Sequence, residues 1–162
     1  MNRKSFLSTL SLGASATLFS SFRSPQKDKE PLPPELVEEF VRAGHGDLEK
    51  VKLMLKERPT LNYATWDWGN GDFETALEGA SHLGRKEIAN YLIQQGARPS
   101  LFTLAMLGRK DLVIPIIEAY PSLLSSKGAH GFTLLHHARV GNAHELADWF
   151  MKQGLTEGNM GL

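Results

Sequence analysis

The 162-residue chain contains no cysteine, which removes disulfides, thiolate metal ligands and thiol nucleophiles together and leaves the redox compartment open. Net charge is missing as well, because 18 Lys and Arg balance 18 Asp and Glu. A polyanion-binding surface needs a basic excess, so no nucleic-acid partner is expected. Three of the basic residues (Arg3, Lys4, Arg23) and none of the acidic ones fall within residues 1–24, leaving a mildly acidic remainder of 15 against 18. A long apolar run is also lacking. The uncharged stretch that ends at Phe22 is diluted by Ser8, Thr9, Ser11, Ser15, Thr17, Ser20 and Ser21, short of the roughly 20 strongly apolar residues of a bilayer span. Gly-x-Ser-x-Gly, a phosphate-binding loop, a dinucleotide fingerprint and His-Glu-x-x-His are all absent, so motifs assign no catalytic residue, cofactor or metal.

What is present begins with Met-Asn-Arg3-Lys4-Ser5-Phe6-Leu7. A charged start, an apolar middle and the small residues Ala14-Ser15-Ala16 draw the outline of a secretory signal peptide. The Arg3-Lys4-x-Phe6-Leu7 pattern resembles a twin-arginine export signal, with lysine in place of the second arginine. Residues 1–24 are therefore expected to be a signal peptide that directs the protein to a bacterial periplasm or envelope, with no stable membrane span after processing. A cytoplasmic protein with a polar tail is the alternative. Residues 25–34, with Pro25, Pro31, Pro33 and Pro34, read as a linker. Residues 35–154 read as the folded domain and 155–162 as a tail.

The domain repeats itself. Four segments align without gaps: Gly46-Asp-Leu-Glu-Lys-Val-Lys-Leu-Met-Leu55, Gly84-Arg-Lys-Glu-Ile-Ala-Asn-Tyr-Leu-Ile93, Gly108-Arg-Lys-Asp-Leu-Val-Ile-Pro-Ile-Ile117 and Asn142-Ala-His-Glu-Leu-Ala-Asp-Trp-Phe-Met151. Each carries an acid at its fourth position (Glu49, Glu87, Asp111, Glu145), which suits the positive end of a helix. Each carries a small or β-branched apolar residue at its sixth (Val51, Ala89, Val113, Ala147) and ends in a bulky apolar pair, giving one face to bury. Shorter segments rich in small residues precede most copies, most clearly Thr75-Ala-Leu-Glu-Gly-Ala80 and Thr133-Leu-Leu-His136-His-Ala138. Threonine caps a helix start, so each unit is predicted to be two antiparallel helices. Gly96 and Gly154 are placed as helix C-caps. If Asp111 caps its helix, Pro115 falls early in it, where a missing N–H costs little.

The acidic marker recurs after 38, 24 and 34 residues, scattered about a 33-residue period. Gly131-x-Thr133-Leu-Leu-His136-x-Ala138 resembles the ankyrin signature Gly-x-Thr-Pro-Leu-His-x-Ala, with leucine for proline, and Thr75 through Ala97 resembles the same template. The resemblance spans about residues 35–154. It implies an all-α ankyrin-repeat solenoid of about four helix–turn–helix units, with one irregular unit lacking its hairpin where only Ala97 to Ser100 separate two helices. Leu104 replaces the template's small alanine, and residues 61–74 form an enlarged loop. The resemblance also implies a non-catalytic scaffold that binds a protein or peptide through loops and first helices, with His136 hydrogen-bonding within and between units.

The loop Trp66-Asp67-Trp68-Gly69-Asn70-Gly71-Asp72-Phe73-Glu74 is also similar to one in a sub-group of small bacterial ankyrin-repeat proteins. Two indoles beside carboxylates either pack the enlarged hairpin or anchor a partner. The candidate partner-binding residues are Trp66, Trp68, Asp72, Glu74, His82, Met106, His130 and His137. No metal role is expected for the histidines, and no cofactor. The alternative is a small-molecule-binding or hydrolytic pocket around Trp66–Glu74 with His82, which convergent polar groups would favour over an open groove. Trp149 marks a C-terminal edge where a second copy could associate. A reporter fused behind residues 1–30 is expected in the envelope fraction of a bacterial host, and one retained in the cytoplasm rejects the leader.

Overall fold

All four aligned segments fold as helices in the computed structural model, which describes residues 30–156. The expected signal peptide, linker residues 25–29 and tail residues 157–162 lie outside the described residues. Helix α1 (Pro34–Gly44) opens on Pro34, whose missing N–H is not needed in a first turn. Helix α2 (Leu48–Glu57) is capped by Asp47, which accepts from the Lys50 backbone N at 2.9 Å. A 3-10 turn (Pro59–Tyr63) then leads into strands β1 (Trp66–Asp67) and β2 (Phe73–Glu74). They pair antiparallel, with Trp66 opposite Glu74 and Asp67 opposite Phe73.

Helices α3 (Ala76–His82) and α4 (Lys86–Gln94) form the next pair, followed by α5 (Leu101–Met106) and α6 (Lys110–Ala119), then α7 (Leu134–Val140) and α8 (His144–Lys152). Thr75, Ser100 and Thr133 cap α3, α5 and α7 through their hydroxyls, as small hydroxyl residues do at helix starts. Among the described residues the fold is thus all-α apart from one short ribbon and an isolated Lys127–Thr133 bridge. Within each pair the two helices pack on each other, and α1, α3, α5 and α7 pack in chain order. Between α4 and α5 there is only an irregular connection, as the short 24-residue interval requires.

The apolar pattern explains which faces meet. The sixth-position residues Val51, Ala89, Val113 and Ala147 are all buried, along with at least one member of each terminal pair (both Met54 and Leu55 in the first). Two apolar clusters result, one around Phe40, Val41, Leu61, Leu77 and Leu92, the other around Val113, Leu134, Leu135, Leu146 and Phe150. Met106, expected at a contact surface, is fully buried and belongs to the first cluster, so it is a core residue. His137 is likewise core: it lies 2% exposed on the packed side of α7, its Nδ1 2.8 Å from the Thr133 carbonyl. Both sit on first helices, whose inward sides face the next unit and not solvent. Trp149 is half-buried, edge-on to Phe150 and packed on the second cluster, so little of the expected bare C-terminal edge remains.

Pro115 departs from expectation. Helix α6 begins at Lys110 with Arg109 in the cap position, which puts Pro115 in the helix interior and not in its first turn. The turn sets this start, because Gly108 takes φ +73° and Arg109 follows directly into the helix. An interior proline costs roughly 3 kcal/mol, opposed here by burial of Val113 and Ile117 on either side of it.

Small residues set the spacing of the stack. A Cβ at Gly141, just past α7, would lie 1.9 Å from the Met106 carbonyl oxygen, and one at Gly84 would lie 2.2 Å from that of Val140. Both obstacles are backbone and cannot swing away. Gly141→Ala is expected to lower stability by about 2–3 kcal/mol through overpacking. Gly46→Ala, whose Cβ meets only the Arg85 side chain at 4.0 Å, should change it far less. Denaturant melts of the two variants check this, and equal melts would contradict it.

Candidate functional site

The capping box of α3 aims the residue before it. The Thr75 backbone N donates to Glu78 Oε2 at 2.9 Å while the Glu78 backbone N donates to Thr75 Oγ1 at 3.2 Å, fixing the chain's entry into the helix. Glu74, the last residue of β2, is thereby turned inward and is fully buried. Two turns later the same helix ends on His82, 5% exposed. His45 caps the C-terminus of α1 with its Nδ1 3.0 Å from the Val41 carbonyl. Room for that ring comes from Gly79: a Cβ there would stand 2.8 Å from His45 Cε1. The fourth side chain arrives from far along the chain. His130 sits in a 3-10 turn (Ala129–Gly131) at φ +56°, and Asp72 holds it twice. The His130 backbone N donates to Asp72 Oδ1 at 2.8 Å, and its ring Nδ1 lies 2.7 Å from Asp72 Oδ2.

These four side chains converge. His82 Nε2 is 2.8 Å from Glu74 Oε1, His130 Nε2 is 3.5 Å from the same oxygen, and His45 Nε2 is 3.4 Å from Glu74 Oε2. His45 Nε2 and His82 Nε2 face each other at 3.2 Å. The Trp68 indole N–H donates to Glu74 Oε2 at 2.7 Å. Glu74 Oε1, by contrast, has no aligned donor despite the two nearby imidazoles, and neither does His82 Nδ1 have a partner. Burial works against the Glu74 charge, but His82, His45 and the Trp68 N–H together outweigh it and hold the carboxyl below its ordinary value. Asp72 is also held below its ordinary value: partial burial opposes the charge, and the two hydrogen bonds with His130 overcome it.

Aromatic rings wall the group. Phe132 stacks between His82, at 5.0 Å between centroids, and His136, at 4.2 Å. His136 Nε2 lies 2.9 Å from the His82 carbonyl, an inter-unit bond of the kind expected for it. On the outer side, Arg42, His45, Trp68 and His130 line an open hollow of about 390 Å³. The Arg42 guanidinium lies over the Trp68 ring, 4.5 Å from its centroid, and pairs with Glu38. A buried carboxylate, three imidazoles and an open approach can hold a cation, relay a proton or orient a polar ligand.

Of the residues singled out from sequence, Trp68, Asp72, Glu74, His82 and His130 meet here, and Trp66 stands edge-on to Trp68 at 6.4 Å. Glu74 and His82 are interior groups and cannot touch a macromolecule directly. Trp66 and Trp68 are half-buried against the first cluster, so the loop packs and also keeps a surface. Met106 and His137 lie elsewhere in the core. His144, the first residue of α8, is exposed and apart from this group. Sequence reasoning missed His45 and Arg42. Its one available signal was Gly79, an unfavourable residue in a helix interior, whose reason is the His45 ring packed against it.

No family model matches the chain. It is similar to alpha-latrocrustotoxin-Lt1a of Latrodectus tredecimguttatus, at 24% identity over 115 residues. That alignment covers 66% of this chain and 8% of the toxin, so the chain spans a small fraction of the relative's length.

Beside this group, His137 provides a pH test. Burial, chiefly, pushes its pKa down to about 4, against a smaller opposing effect of the Thr133 carbonyl and with nearby His136 and His82 adding to the lowering. The folded protein therefore binds fewer protons here than the unfolded chain. The associated stability is present above about pH 6.5 and is lost as pH falls towards 4, by about 3 kcal/mol. Denaturant melts at pH 7 and pH 4.5 should show this loss reduced in His137→Asn. Equal losses in the two proteins would reject the assignment.

Proposed function

We propose that this chain is an ankyrin-type repeat protein that binds a protein or peptide partner without catalysis. Supporting the repeat reading are the in-order packing of the first helices, the hydroxyl caps and the His136 bond back to the end of α3. The observation that carries the binding reading is the hollow where α1, the hairpin and the 129–131 turn present Arg42, His45, Trp68 and His130 to one open space. A half-buried indole beside a guanidinium is the composition of an interface anchor, with large area joined to orienting charge. Phe73 on β2 of the same hairpin is exposed as well. An exported location belongs to the same proposal and rests on the sequence of residues 1–24.

A second reading has one specific observation in its favour. The convergence of three imidazoles on buried Glu74 is the polar focus expected of a pocket for a small ligand or a hydrolytic reaction. Recovery of partners from an envelope fraction separates the two. The intact chain is expected to recover a defined macromolecule, and Trp66→Ala/Trp68→Ala to lose it by about thirtyfold, the effect of about 2 kcal/mol at an anchor. Equal recovery by the variant removes the hairpin from the binding surface. Recovery of no macromolecule by the intact chain favours the small-ligand reading.

A further inference from the structure

We propose that His45, Glu74, His82 and His130 form a binding site for one divalent metal ion of the zinc class. Four ligands in a tetrahedron with bonds of about 2.0–2.1 Å lie about 3.3 Å from one another. With Glu74 Oε1 as the carboxylate ligand, it lies 2.8 Å from His82 Nε2 and 3.5 Å from His130 Nε2, and the His45 and His82 Nε2 atoms lie 3.2 Å apart. One ligand atom from each of the four residues falls within 4.8 Å of all the others. Three imidazole nitrogens and one carboxylate are a donor set for zinc and its late first-row neighbours. Calcium and magnesium instead require all-oxygen shells.

The surroundings prepare three of the four ligands, His82 Nδ1 having no hydrogen-bond partner. His45 Nδ1 faces the Val41 carbonyl, and His130 Nδ1 faces the Asp72 carboxylate. Each contact places the ring proton on Nδ1 and leaves an Nε2 lone pair facing inward, the arrangement that orients metal-ligating histidines. Trp68 donates to one Glu74 oxygen, leaving Oε1, the buried atom with no aligned donor, for the ion. A buried carboxylate oxygen with imidazoles at 2.8 and 3.5 Å but no aligned donor is under-satisfied, and a cation supplies what is missing. The hollow beside Arg42 and Trp68 gives the ion a path to His45 and His130. Once bound, it would join α1, the hairpin, α3 and the 129–131 turn, segments that only the folded chain brings together. Zinc would therefore raise the melting temperature with concentration.

The test uses the full 162-residue chain, stripped with chelator and titrated with zinc against a chromogenic competitor. One equivalent per chain is expected, with Co²⁺ in its place giving the intense visible bands of tetrahedral coordination. His130→Ala should weaken zinc binding by more than a hundredfold. Asp72→Asn, which alters only a positioning residue, should weaken it by 10–100-fold, and His144→Ala should leave it unchanged. No uptake by the intact chain overturns the proposal, as does uptake that His130→Ala leaves intact. A cobalt spectrum of the weak, six-coordinate kind overturns it without reliance on any variant, so the question is decided even if His130→Ala fails to fold. Partner recovery by the Trp66/Trp68 variant has a separate readout, so either proposal can fail alone.

Discussion

Taking a carboxylate out of water costs several kcal/mol unless charge and hydrogen bonds meet it inside, and Glu74 is fully buried. That cost explains why so many distant parts of the chain end at one place. The hairpin returns Trp68 to bond the residue that follows it by six positions. Helix α1 ends with a histidine turned towards the carboxylate, and α3 does the same. The 129–131 turn accepts a left-handed residue at His130, a conformation rare outside glycine and costly without support. Asp72, two residues before Glu74, supplies that support from the hairpin side. Each device is local and modest in energy; together they hold a charge that none could hold alone.

The stack makes this convergence possible. Glu74 reaches His45 and His130 only because neighbouring units lie close, and that closeness depends on residues without side chains. Gly141 and Gly84 admit a neighbour's backbone, while Gly79 admits the His45 ring into the groove between α1 and α3. Phe132 then fills the space on the far side by stacking against His82 and His136. Packing and polar site are therefore one construction.

Helix positions were legible because they depend on period and caps, both local properties. The fourth-position acids and buried sixth-position residues fall where the alignment puts them. Pro115 was misplaced because a helix start depends on the turn before it, and Gly108 and Arg109 set that start earlier than Asp111. Met106 and His137 were misjudged for a different reason. A first helix here is sandwiched between neighbours, so membership in it says little about exposure until its rotation is known. The site was half legible: the hairpin residues and His82 stood out as chemistry-bearing, and His130 as a loop tip. Their relation to His45 was hidden, since 58 residues separate Asp72 from His130 and 37 separate His45 from His82.

Trp68 belongs to both halves of the picture. Its N–H holds Glu74 in the interior, while its ring lines the hollow under Arg42. The surface and the polar cluster therefore share one side chain. Trp66 faces Glu74 across the hairpin through its backbone and packs its ring on Trp68 and the first cluster, with no side-chain bond to the carboxylate. The two tryptophans of the loop thus do different work, Trp66 shaping the hairpin and Trp68 coupling its surface to the charge beneath.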